Sequence, residues 1–379
     1  MAVDQKARAA YKLPLWADLG VLPLVNLLAA FVVSGLVIWG LGENPFTALG
    51  LLVKGAFGYQ EYTGYTFYYA TNFIFTGLAV SLAFHAGLFN IGGEGQAMMG
   101  GLGLTLAVLW AGDALGWLAV PLAILGAAAF GAAWAAVPAY LQARRGSHVV
   151  ITTIMFNFIA SALLSYLLVG PLQRPGGQMP ETRDFPEGAN LAHMHDVLGL
   201  LGIPFESSPM NLSLPLALLV AFGVWFLLWR TRFGYEIRVV GRSHDAARFA
   251  GISVTRVTIM AMALSGAMAG MMGLNELLGE QHRLIANFTM GYGFVGIAVA
   301  FMGRNHPVGI VLAALLFGAL YQGGTEIAFE MENVTRDLVV VIQGLVIIFS
   351  GAMEHLFRRP VTRLFARFDP AARRAEATA

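Results

Sequence analysis

The chain has 379 residues, of which 57% are hydrophobic and only 12% are charged. A water-facing domain carries about 25% charged residues, so this composition excludes an ordinary soluble protein. The net charge of +1 is uninformative, and the absence of cysteine excludes disulfides and thiolate metal sites.

Residues 1–16 are polar and carry Lys6, Arg8 and Lys12. The apolar run at 20–41 is long for a signal-peptide core and no small-residue cleavage site follows it, so it reads as a retained span. Further apolar runs lie at 67–89, 95–112, 117–141, 149–170, 212–230, 255–278, 290–303, 307–325 and 336–353. A run of about 20 apolar residues crosses the hydrocarbon core as a helix. The runs at 95–112 and 290–303 are short, which points to tilted, broken or re-entrant segments. Glycines inside the runs (Gly100, Gly103, Gly126, Gly131, Gly266, Gly270) let helix backbones approach closely. The predicted fold is therefore all-α: residues 1–379 form a single polytopic membrane domain, a bundle of about ten transmembrane helices.

Charge placement supports that count. With ten spans and both termini cytoplasmic, only Lys54, Arg174, Arg183, Arg283 and Arg336 of the 23 Lys and Arg fall outside, as the positive-inside rule requires. Losing one span would invert everything after it. Residues 171–211 form a polar, proline-punctuated outer loop in which no regular helix is expected. Residues 230–256 form a basic inner loop, and 354–379 a basic cytoplasmic tail.

Within the inner loop, Ser243 is placed to cap a helix and Asp245 falls in its first turn. Arg248 lies near the end, and Gly251 suits the residue just beyond it. This predicts a two-turn helix over 244–250 outside the membrane. Helices that short are marginal in water, so neighbouring spans or a partner must hold it.

Chemistry-bearing groups are few. The break Asn90-Ile91-Gly92-Gly93-Glu94-Gly95-Gln96 is glycine-rich but lacks the Gly-Lys-Ser/Thr of a phosphate-binding loop, and no such motif occurs elsewhere. It reads either as a tight turn between close helices or as a gate in which Glu94 and Gln96 bond backbone groups. No zinc-protease or serine-hydrolase motif is present. His193 and His195 lack further ligands for a metal, and no metal site is predicted. Polar groups inside spans are Asn72, Asn157, Asn275 and Glu276; they either bond between helices or line a solute path, where amide and carboxylate suit sugar hydroxyls or base edges. Tyr65, Phe67, Tyr68, Tyr69, Phe73 and Phe75 read mainly as interfacial anchors, with base stacking as the alternative. His85 is expected to be packed and neutral.

Four segments resemble one family. The run Gly77-Leu-Ala-Val-Ser-Leu-Ala-Phe-His-Ala-Gly-Leu-Phe-Asn-Ile-Gly-Gly-Glu-Gly-Gln96 is similar to the signature of ATP-driven (ABC) importer permeases for nucleosides and simple sugars, a class that also includes branched-chain amino acid permeases. Phe233–Gly241 followed by Ala246–Ile252, Gly291–Gly303 and Val149–Asn157 agree in order. His148 departs from the pattern, standing where a carboxylate is common. The resemblance implies a translocation-pore subunit that is not an enzyme and binds no cofactor, with ATP used by a partner ATPase. It implies that the loop with Gly234, Arg238, Gly241, Ser243, Asp245, Ala247, Arg248 and Gly251 forms the ATPase-coupling element; the polar groups Asn72, Asn90, Glu94, Gln96, Asn157, Asn275 and Glu276, read from their own placement, are candidates for the substrate path. Expected partners are an ABC ATPase, a second permease subunit (identical or homologous), an extracytoplasmic substrate-binding protein and the lipid bilayer, with no nucleic acid. The expected location is the bacterial inner membrane. The rival reading is an ion-coupled secondary transporter, which needs ion sites near the midplane; a membrane enzyme or scaffold lacks a catalytic cluster.

Overall fold

The computed structural model describes residues 17–112 and 118–349, together with Pro14, Gly116, Arg358, residues 360–362 and Phe365. The basic N-terminal segment and most of the tail 354–379 lie outside the described residues. Within them every regular element is helical, and β pairing is confined to two isolated bridges, Glu181–Ile285 and His193–Asn211.

In chain order the helices are α1 (Leu22–Gly40), α2 (Pro45–Phe57), α3 (Gln60–His85), α4 (Gly93–Ala111), α5 (Ala119–Arg145), α6 (Val149–Val169) and α7 (Met194–Leu200). There follow α8 (Ser213–Arg230), α9 (Arg232–Arg242), α10 (His244–Phe249), α11 (Val254–Gly273), α12 (Tyr292–Met302), α13 (Pro307–Glu330) and α14 (Arg336–Ile347). The chain of α11 continues without interruption as a π-helical segment, Leu274–Gln281.

Six of these are long and apolar enough to cross a membrane alone: α3, α5, α6, α8, α11 with its π extension, and α13. The pair α1 and α2 meets the same test as one broken span, bent by 118°. The bend has local causes. Gly42 adopts φ +86°, Asn44 Oδ1 accepts from the Phe46 amide at 2.9 Å, and Pro45 opens α2 where its missing N–H costs nothing. Helix α2 falls in a stretch that the hydropathy pattern leaves as a connection. The short run at 290–303 becomes α12, 11 residues long and so about 17 Å, half the hydrocarbon thickness. Helix α4 keeps its 19 residues but carries Glu94 and Gln96 in its first turns and is largely enclosed by protein.

The chain forms two compact units, residues 1–51 with 324–379, and residues 52–323. In the first, α14 packs on α1, Gly324 lies against the Val339 side chain, and Asn333 Nδ2 donates to Glu43 Oε1 at 3.0 Å.

The second unit holds the core. Helix α5 lies between α4 and α11, and the contacts run through glycine. Gly103 meets Gly126, Gly131 meets Gly266, and Gly100 meets Gly270, so closely that a Cβ at any of the six would strike backbone. Small residues thus act as the sequence indicates. Helix α3 is central, packed by α8, α11 and α12, and is buried on every side from Ala70 to Ala83. Tyr68, Phe73 and Phe75 are accordingly interior residues, a correction to their reading as interfacial anchors.

The loop 171–211, expected on the outer side, is more ordered than its prolines suggest. Pro186, Pro204 and Pro209 fall outside α7, which leaves that helix free to form. The loop is stitched to residues 282–286: the Thr182 amide donates to Leu284 O at 3.0 Å and the Phe185 amide to His282 O at 2.7 Å. Arg283 pairs with Glu181 at 3.3 Å and with Asp184 at 3.1 Å.

Candidate functional site

Three groupings gather the residues singled out in the sequence. The first is the corner formed by α9 and α10. Thr231 Oγ1 caps α9 by accepting from the Gly234 amide at 3.0 Å, and Ser243 Oγ caps α10 by accepting from the Ala246 amide at 3.2 Å. Asp245 pairs with Arg248 at 3.6 Å, both well exposed, which stabilises little. Gly251 adopts φ +75°, as a residue closing a helix does. Ala247 is fully buried, whereas Phe249 is 94% exposed. Gly234 sits on the backbone of Leu227 and Leu228, and Gly241 on that of His85. Gly87, with φ +75°, comes back against Gly241. The corner is therefore seated directly on the C-terminal end of α3. Arg238 folds along α9, its Nε donating to Gly234 O at 3.4 Å.

The second grouping is centred on Glu94. Its Oε1 accepts from Thr289 Oγ1 at 2.5 Å and from the Gly291 amide at 2.9 Å, and its Oε2 from the Gly293 amide at 2.8 Å. Glu94 lies in the first turn of α4 and caps the start of α12, so the positive ends of two helices converge on one carboxylate. Gln96 was expected to bond backbone; it instead forms a two-way amide pair with Asn90, at 2.9 and 3.0 Å. Asn90 also donates to Ser265 Oγ at 2.9 Å and accepts from the Gly92 amide at 2.9 Å. Asn157 Oδ1 accepts from the Gly95 amide at 2.9 Å while its Nδ2 donates to Ile91 O at 3.0 Å. Asn90 and Asn157 thus satisfy the backbone of the glycine break, and Gln96 holds the Asn90 side chain. His148 makes no capping bond with its side chain. The Val149 amide is served by Gln142 Oε1 at 2.8 Å, so the start of α6 does not need a carboxylate at 148.

The third grouping joins Asn72, Asn275 and Glu276. Asn72 Nδ2 donates to Glu276 Oε1 at 2.6 Å. Asn275 Nδ2 donates to Asn72 Oδ1 at 2.9 Å and Tyr68 O at 3.0 Å. Its Oδ1 accepts from Asn211 Nδ2 at 3.0 Å and Ser213 Oγ at 2.7 Å. All are buried. Asn275 and Glu276 sit on the π segment, a distortion frequent at functional sites. Beside this network an aromatic cluster lies in the same unit: Phe73 meets Tyr321 at 5.0 Å and Tyr292 at 5.5 Å edge-on, and Tyr69 meets Tyr321 at 5.7 Å. Ring faces next to carboxylate and amide groups suit a solute with both a flat face and hydroxyls.

Thr289, Tyr292, Tyr321, Asn211 and Ser213 were not singled out individually. Only Tyr292 lay in a quoted motif; the others become visible when distant segments meet.

With this geometry the comparisons agree. Residues 62–351 match the family described as the permease component of branched-chain amino acid transport systems, and the chain belongs to that family. It is a multi-pass membrane protein and a translocation subunit of an ABC transporter, with ATP hydrolysis on separate ATPase subunits. It is 36% identical to the glucose ABC transporter permease protein of Haloferax volcanii, over 97% of this chain and 96% of that one. It is 34% identical to the guanosine ABC transporter permease protein of Bacillus subtilis, over 87% and 92% of the two chains. The nucleoside ABC transporter permease protein of Lactococcus lactis is 30% identical, over 86% and 89%.

Proposed function

We propose that this chain is one half of the pore of an importer that brings nucleosides, or a related sugar-containing solute, across a bacterial inner membrane. In this reading it has about ten spans, counting the half-length α12, with both ends in the cytoplasm, pairs with a second permease subunit, and receives solute from an extracytoplasmic binding protein. The chain itself binds no cofactor; ATP acts on the partner ATPase.

The observation that carries the reading is the α9–α10 corner. It presents Phe249 and Arg248 outward from a two-turn helix and rests by glycine contacts on the end of α3. An ATPase gripping α10 pushes on α3, and α3 carries Asn72 and Phe73 into the polar network and aromatic cluster. The coupling set is thus Gly234, Arg238, Gly241, Ser243, Asp245, Ala247, Arg248 and Gly251. The solute path runs by Asn72, Asn275 and Glu276, with Asn90, Glu94, Gln96 and Asn157 shaping the turn below. The guanosine and nucleoside permeases among the relatives support the solute class, and family membership favours ATP over an ion gradient as the driving force.

The test is co-purification with candidate ATPases. Phe249→Asp and Arg248→Glu are expected to abolish ATPase association and solute uptake while leaving expression and monodispersity unchanged. Unaltered association and uptake in both variants refute the coupling role.

A further inference from the structure

The outer loop carries a projection that the transport cycle leaves unexplained. Its base is closed at the start of α8: the Met194 amide donates to Met210 O at 2.7 Å and the Leu212 amide to Ala192 O at 3.2 Å. Its far end is a compact turn after α7, in which the Leu201 and Ile203 amides both donate to Leu198 O at 3.0 Å. Gly202 supplies the left-handed residue there, at φ +76°. The turn displays Leu200, 88% exposed, Leu201, 71%, and Ile203, 51%. No charged residue occurs from Val197 to Phe205, although Asp196 and Glu206 flank the segment.

Three observations say what covers this tip. The returning segment is tied to the first turn of α3: Glu206 Oε2 accepts from the Glu61 amide at 3.0 Å, and the Glu206 amide donates to Gln60 Oε1 at 3.2 Å. The tip therefore stands at the membrane surface, level with the starts of two spans and opposite the face holding α9 and α10. Tyr59, 54% exposed, and Tyr62 meet edge-on at that level, 5.2 Å apart, as residues of an interfacial belt do. Of the loop's charged groups, Arg174, Asp184 and Glu181 pair with one another or with Arg283, and Asp196 and Glu206 flank the tip without entering it.

We propose that the turn Leu198–Phe205 inserts into the headgroup–acyl boundary of the outer leaflet and anchors the outer loop to the lipid surface. Uncharged leucine-rich segments bind there through buried apolar area. Its assignment to the outer leaflet rests on the proposed orientation; its insertion does not.

The natural absence of cysteine makes the test direct. Leu200→Cys and Leu201→Cys, each carrying an environment-sensitive nitrobenzoxadiazole fluorophore, are placed in phosphatidylethanolamine–phosphatidylglycerol vesicles. Glu187→Cys, exposed elsewhere on the loop, is the reference. Nitroxide-labelled phospholipid is expected to quench the two tip labels at least threefold more strongly than the reference, and aqueous iodide to do the reverse. Tip labels quenched by iodide as strongly as the reference overturn the proposal. So does lipid protection that appears only when a binding protein is added, or cross-linking of tip cysteines between two copies. Loss of ATPase association in the α10 variants bears on the importer reading alone and leaves this result untouched.

Discussion

Replacing Glu94 tests the three bonds that tie the start of α12 to α4. Glu94→Gln keeps one acceptor oxygen but turns an amide NH₂ toward the Gly293 N–H, so a bond now 2.8 Å long becomes donor against donor. A hydrogen bond to a charged group contributes about 1.5–3 kcal/mol, and a buried orphan donor costs about as much as it loses. Taking ~2 kcal/mol, the start of α12 should open roughly 30-fold more often, since 1.4 kcal/mol is a factor of ten. Glu94→Ala strands three donors, from Thr289, Gly291 and Gly293, and should cost ~4 kcal/mol or more. Hydrogen exchange followed by mass spectrometry on peptides covering 286–296 reads the effect locally, and solute uptake reads its consequence. Protection there unchanged within threefold in both variants would falsify the view that this carboxylate holds the half-span in place.

The other expectations are narrower. Asn275→Ala removes partners from Asn72, Asn211 and Ser213 at once; it should cost about 3 kcal/mol and lower the apparent melting point in detergent, whereas an unshifted melting point contradicts the network. Gly131→Val and Gly270→Val each drive a side chain into facing backbone and should abolish monodisperse expression, since overpacking alone costs about 1–3 kcal/mol where only side chains are in the way; normal gel-filtration profiles would refute the packing. Ser243→Ala removes a capping acceptor worth ~1 kcal/mol, so α10 should gain susceptibility to limited proteolysis with the spans intact; equal cleavage rates would argue that the neighbouring helices alone hold it.

The short helix α10 was legible because its determinants are local. Ser243, Asp245 and Gly251 lie within nine positions, and the observed helix ends one residue before the predicted 250. The close-packing glycines were legible for a similar reason: nothing else explains so many inside apolar runs. What escaped were features decided by partners far along the chain. Glu94 is separated from Thr289 by 195 residues, and nothing near Glu94 announces that a second helix begins beside it. Helix α3 misled in another way. Enclosed on every side, it has no stripe to separate its lipid-facing from its interior aromatics, so position near a predicted membrane boundary stood in for burial. Helix α2 was missed because 13 residues are too few to register as a span until the bend at Gly42–Pro45 joins them to α1.

Where Gly87 and Gly241 touch, backbone rests on backbone. A seam without side chains has no rotamers in which to absorb movement, so a displacement of the α9–α10 corner reaches the central helix without slack. The same seam cannot be retuned by trimming or enlarging a side chain on either flank. In the proposed coupling role, adaptation to a different motor protein would have to take place on the outward surface around Phe249, leaving the joint beneath it unaltered.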